Sequence, residues 1–179
     1  MTPGSADPRR APVAADGAAP APLLVLALGN TLLRDDGVGQ AIAERIADDV
    51  ARLGGRAELL DGGTQGMALL GRLEGRAAVL MLDAVARGAP PGSVHLLDGR
   101  ELLDSPRPRG TTAHEGSAED VLRLAALVGL LPPRVRIVGI EPAEVRTGLG
   151  LSPVAEAALP AAADAARAEL AALAGTVPA

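Results

Sequence analysis

Asp36, Asp83 and His114 are the residues whose types and positions can do metal chemistry in this chain. Asp36 follows the apolar run 23–28, Asp83 closes the apolar run 77–82, and His114 sits just ahead of a helix-start sequence. If the two apolar runs are parallel strands, all three residues meet at one edge of a sheet. Open α/β sheets bind ligands at that edge, outside the carboxyl ends of their strands. Two carboxylates and one imidazole make an open coordination set suited to nickel, zinc or manganese, with positions left for another ligand.

Each residue also has a plainer reading. An Asp between a strand and a helix is a common helix N-cap, and this applies to both Asp35 and Asp36. Asp61 reads as a turn residue bonding the amides of Gly62 and Gly63. Asp83 ends an apolar strand, where a buried carboxylate requires a partner. His95 lies inside a strand and reads as structural, whereas His114 beside Glu115 is either functional or merely solvated.

Composition narrows the classes. The chain of 179 residues has the length of one domain, and a hydrophobic fraction of 48% is enough for a packed core. Without Phe, Tyr or Trp, that core consists of Leu, Val, Ile, Ala and Met. The net charge of −5 and the lack of stacking side chains argue against nucleic acid as a partner. The absence of cysteine excludes disulfides, thiolate nucleophiles and Cys-ligated metal centres. No apolar run reaches membrane-spanning length, so no membrane partner is expected. The chain has no lysine and hence no P-loop, and neither G-x-G-x-x-G, G-x-S-x-G nor H-E-x-x-H occurs.

The elements that must position these side chains alternate along the sequence. Residues 1–20, rich in Ala and Pro, read as a disordered tail without the apolar core of a signal peptide, and the protein as cytoplasmic. Residues 23–28 are a strand buried on both faces. The following helix carries Val38, Ile42, Ile46, Val50 and Leu53 as one apolar stripe, ending at Gly54-Gly55. Strands are expected at 57–60, 77–82, 93–97 (an edge) and 134–140, with a helix near 67–73. Residues 98–113, containing Pro106 and Pro108, read as loop. Ser117 with Asp120 forms a capping box for a helix over 121–131, residues 141–151 are a long loop, and Ser152-Pro153 starts a last helix to about residue 174. This pattern predicts a single three-layer α/β domain over 21–175. Its sheet should be mixed, mostly parallel and five-stranded, with helices on both faces.

The sequence resembles the maturation endopeptidases of nickel–iron hydrogenases. The resemblance rests on L-A-L-G-N-T-L-L-R-D-D-G-V-G, on D-G-G-T-Q-G-M-A-L-L from Asp61 and on L-D-A-V from Leu82 followed by P-G-S-V. The His114 loop, V-G-I-E-P and G-L-G-L-S-P complete it. It implies an enzyme that removes a C-terminal extension from the hydrogenase large-subunit precursor after nickel insertion, and it names that precursor as the partner. Nickel is then supplied by the substrate and recognised by Asp36, Asp83 and His114. The family's first acidic residue is Glu in some relatives, one methylene longer than Asp36, and its His loop often places a Gly one residue later than here. A monomer is expected. Attack on the peptide bond through a metal-polarised carbonyl, a metal-bound water, or Asp36 or Asp83 as general base stays open. Two other classes remain: a non-hydrolytic nickel-recognition module and a small-molecule metallohydrolase.

Overall fold

The structure, a computed structural model, describes residues 20–105 and 116–178. The strands are β1 (Leu23–Leu28), β2 (Ala57–Gly63), β3 (Ala78–Ala84), β4 (Val94–Asp98) and β5 (Arg134–Ile140). The helices are α1 (Val38–Ala51), the single turn α2 (Leu70–Leu73), α3 (Gly99–Asp104), α4 (Ala118–Leu127) and α5 (Pro153–Ala174). The sheet order is β2-β1-β3-β5-β4, parallel throughout except for the antiparallel edge strand β4. The expected three-layer α/β architecture with a mixed five-stranded sheet is therefore the one observed.

Strand alternation builds both cores. Leu23, Val25 and Ala27 of β1 pack with Leu80 and Leu82 of β3 beneath α1 and α5. Leu24, Leu26 and Leu28 pack with Val79 and Met81 beneath α2 and α4. All six β1 residues are buried, as a strand covered by helices on both faces requires. The chain leaves β1 for β2 on one side and leaves β3 toward β5 and β4 on the other. The topological switch thus lies between β1 and β3, and the carboxyl ends of such strands are where sheets of this kind form their ligand crevice.

Several sequence expectations shift. β2 runs on through Asp61, Gly62 and Gly63 rather than turning at Asp61, because a register slip opposite Ala27 and Leu28 absorbs the extra glycine as a bulge. β3 continues past Asp83, so that residue lies within the strand. Residues 99–104, expected as loop, form α3, capped by the Asp98 carboxylate accepting from the amides of Arg100 and Glu101. α4 spans Ala118–Leu127 rather than 121–131. The Ser117 hydroxyl accepts from the Asp120 amide, and Ser152 caps α5 with Pro153 at its start, as the sequence indicated. Except for Pro20, the tail expected over residues 1–20 lies outside the described residues.

Helix α1 approaches the sheet closely at Gly39. A Cβ there would lie 2.2 Å from the Leu28 carbonyl oxygen and 2.5 Å from that of Leu82. Only glycine permits this crossing over the ends of β1 and β3, and the crossing brings the first turn of α1 to the crevice. Gly39→Ala is therefore expected to destabilise the fold by about 2–3 kcal/mol, since the opposing atoms are backbone that cannot swing aside. Urea denaturation of both proteins measures this directly.

Candidate functional site

The adjacent acids Asp35 and Asp36 have opposite fates. Asp35 is fully buried. Its Oδ1 accepts from the Ser152 amide at 2.6 Å, and its Oδ2 accepts from the Ser152 hydroxyl and the amides of Ala143 and Glu144 at 2.8, 2.8 and 3.1 Å. Burial alone would raise its pKa, but these donors outweigh it and hold the carboxyl below its ordinary value. Asp35 is structural: it joins the loop after β1 to the loop after β5 and to the capped start of α5. Between these loops a bridge pairs Leu33 with Gly148. Arg34, with φ +53, is the one non-glycine described residue in the left-handed region, where the chain turns from Leu33 toward the two acids.

Asp36 is half-buried, and its Oδ2 accepts from the Asn30 amide, just beyond β1, at 2.8 Å. Across the topological switch, Asp83 is 4% exposed. Its Oδ1 accepts from the Ala84 amide at 2.8 Å and its Oδ2 from the Ala118 amide, at the start of α4, at 2.7 Å. Burial pushes the Asp83 carboxyl up to about 7. The negative charges of Asp36 and Asp120 add to the rise, and the two amides pull against it. The charge of Asp36 thus acts on Asp83 across the ends of the adjacent strands β1 and β3. His114 lies outside the described residues, while Asp36 lies in the loop after β1 and Asp83 near the end of the adjacent strand β3. Among the described residues, no three His, Asp or Glu side chains gather into a metal-sized cluster.

The other candidates resolve in structural terms. Asp61 accepts from the Gly63 amide at 3.0 Å, as expected, and also from Gln40 Nε2 at 3.2 Å. His95 Nε2 lies 2.8 Å from Glu141 Oε2. Glu141, buried at the end of β5, also accepts from the amides of Arg87 and Gly88. Burial would raise Glu141, yet the amides and His95 together lower it, so the pair acts as a clamp on the loop between β3 and β4.

The chain as a whole is similar to known proteins. The profile of the family described as hydrogenase maturation protease matches residues 40–169. The chain belongs to the hydrogenase maturation protease family. The hydrogenase maturating endopeptidase HybD from Escherichia coli superposes with a TM-score of 0.68 at 31% identity, covering 83% of this chain and 91% of that one. The hydrogenase 2 maturation protease of E. coli is 33% identical over 136 residues, covering 75% of this chain and 82% of its own length. The hydrogenase expression/formation protein HupD of Rhodobacter capsulatus is 36% identical over 126 residues, and the match spans only 60% of that protein's length.

Within this family member, sequence reasoning missed Asp35, Glu141 and Gln40 as organising residues. Asp35 and Glu141 had a visible signal, as carboxylates flanking strands that become buried. Their partners lie more than forty residues away in the chain, however, and spacing does not disclose them.

The neighbouring acids should separate in mutagenesis. Asp35→Ala strands three amides and a hydroxyl and should cost about 3 kcal/mol or more, whereas Asp36→Ala loses one partly exposed bond and should cost less than about 1 kcal/mol. Urea denaturation distinguishes them. pH supplies a second test. Folded Asp83 keeps its proton up to about 7, whereas the unfolded chain releases it near 3.8. Its stabilising contribution is therefore full below 3.8 and lost as pH rises through about 7. Denaturation at a series of pH values should show stability falling over that interval, with a shallower fall in Asp83→Ala.

Proposed function

We propose that this protein is an endopeptidase that removes the C-terminal extension of a nickel–iron hydrogenase large-subunit precursor after nickel insertion. In this reading it recognises the nickel through Asp36, Asp83 and His114. The observation that carries it is the pair of carboxylates at the switch point, half-buried Asp36 in the loop after β1 and buried Asp83 near the end of the adjacent strand β3, where the charge of Asp36 adds to the rise in the Asp83 pKa. Like charges in a buried crevice are unfavourable until a cation joins them, which makes the site selective for a substrate that brings one. Family membership supports the activity, and the imidazole of His114 would complete the oxygen and nitrogen set.

Nickel belongs to the substrate in this account. Two carboxylates and one imidazole, without a thiolate, hold nickel weakly by themselves, so affinity comes from ligands that the precursor shares. The protein then acts as a monomer in the cytoplasm, where precursor and nickel meet. Ligation requires Asp83 deprotonated and His114 neutral, so processing should decline as pH falls below about 7.

Matched precursors prepared with and without nickel test this reading, with mass spectrometry of the released fragment as the readout. Cleavage is expected only for the nickel-loaded form, and His114→Ala should abolish it while leaving the fold intact. Equal cleavage of the nickel-free form would contradict metal recognition. Cleavage of neither would favour a non-hydrolytic recognition module.

A further inference from the structure

Gln40, in the first turn of α1, is tied to Asp36 through a single peptide group. Its Nε2 donates to the Gly29 carbonyl at 3.0 Å, and the Asn30 amide donates to Asp36 Oδ2 at 2.8 Å. Gly29 C=O and Asn30 N–H are opposite ends of one planar unit, so fixing the carbonyl fixes the direction of the N–H. A carbonyl that accepts a hydrogen bond also polarises its peptide and strengthens the bond the amide donates.

The neighbours determine which way the Gln40 amide faces. Nε2 meets two acceptors, Gly29 O and Asp61 Oδ1, and a reversed amide would set Oε1 against both. In the observed orientation Oε1 is buried without a partner among the described residues. A glutamine that merely filled space would be poorly chosen here, because an apolar chain of equal length leaves no orphaned acceptor. The donor end accounts for the residue. Gly29 itself cannot be replaced: at φ +113, a Cβ would lie 1.8 Å from the Asp36 carbonyl oxygen.

We propose that Gln40 is a positioning residue for Asp36, orienting the carboxylate that meets the nickel-bearing substrate by holding the Gly29–Asn30 peptide. This rests on the reading of Asp36 as a nickel-recognising residue. The test uses the full chain with Gln40→Met, which keeps length and removes the donor, Gln40→Lys, which restores a donor, and Asp36→Asn. Three quantities are read: kcat/KM on nickel-loaded precursor, Tm, and the amide proton shift of Asn30.

Gln40→Met should lower kcat/KM about tenfold with little change in Tm and should move the Asn30 amide proton upfield, and Gln40→Lys should recover most of the rate. If Asp36→Asn is crippled but Gln40→Met works at the wild-type rate, the positioning role is wrong and the nickel reading stands. If Asp36→Asn works at the wild-type rate, the nickel reading fails and the positioning role fails with it. A loss in Gln40→Met that follows a lower Tm, with the Asn30 resonance unmoved, would make Gln40 purely structural and overturn the proposal.

Discussion

The Asp35 carboxylate, saturated by the Ser152 amide and hydroxyl and by the amides of Ala143 and Glu144, is the contact on which the geometry of the crevice depends. It draws the loop after β1 onto the loop after β5 and the cap of α5, so two distant parts of the chain form one rim. With Asp35 turned inward, its neighbour Asp36 stays half-buried and bonds the Asn30 amide just beyond β1. Gly39 permits the second constraint, the close crossing of α1 over the ends of β1 and β3. Together they place Asp36 beside the switch point and opposite Asp83.

Three carboxylates are buried near this end of the sheet, and their electrostatics differ in an informative way. Asp35 and Glu141 are each surrounded by donors, which overcome the cost of burial and keep them ionised. Asp83 has two amides, one from Ala84 and one from Ala118, and faces the negative charges of Asp36 and Asp120. Burial prevails there, and the carboxyl stays protonated toward neutrality. A buried acid left under-compensated beside a second acid is the local signature of a place that a cation would stabilise.

Much of this was legible in the sequence where the signal is local. The apolar runs of β1 and β5 and the Ser117 and Ser152 caps follow from residue types over a few positions, and alternation of strands and helices gave the layers. What escaped depends on partners far along the chain. Nothing local distinguishes Asp35 from Asp36, because loop 141–151 decides which of two identical side chains turns inward. Gly62 and Gly63 look like a turn until β1 is alongside, when they become a bulge within β2. The short helix α3 was hidden because neighbouring prolines suggested loop, whereas the Asp98 cap governs. Gln40 gave no signal, since its role exists only once β1, β2 and α1 are assembled.

The central claim is that Asp36 and Asp83 serve one cation supplied from outside the chain. Anomalous diffraction from crystals soaked in a nickel salt tests it most directly. Because these ligands hold nickel weakly without the precursor, a partly occupied nickel peak is expected at high nickel concentration, within about 2.0–2.2 Å of a carboxylate oxygen of both Asp36 and Asp83, with the His114 imidazole completing the set. A nickel ion bound elsewhere, or held by only one of the two acids with the other turned away, would contradict it.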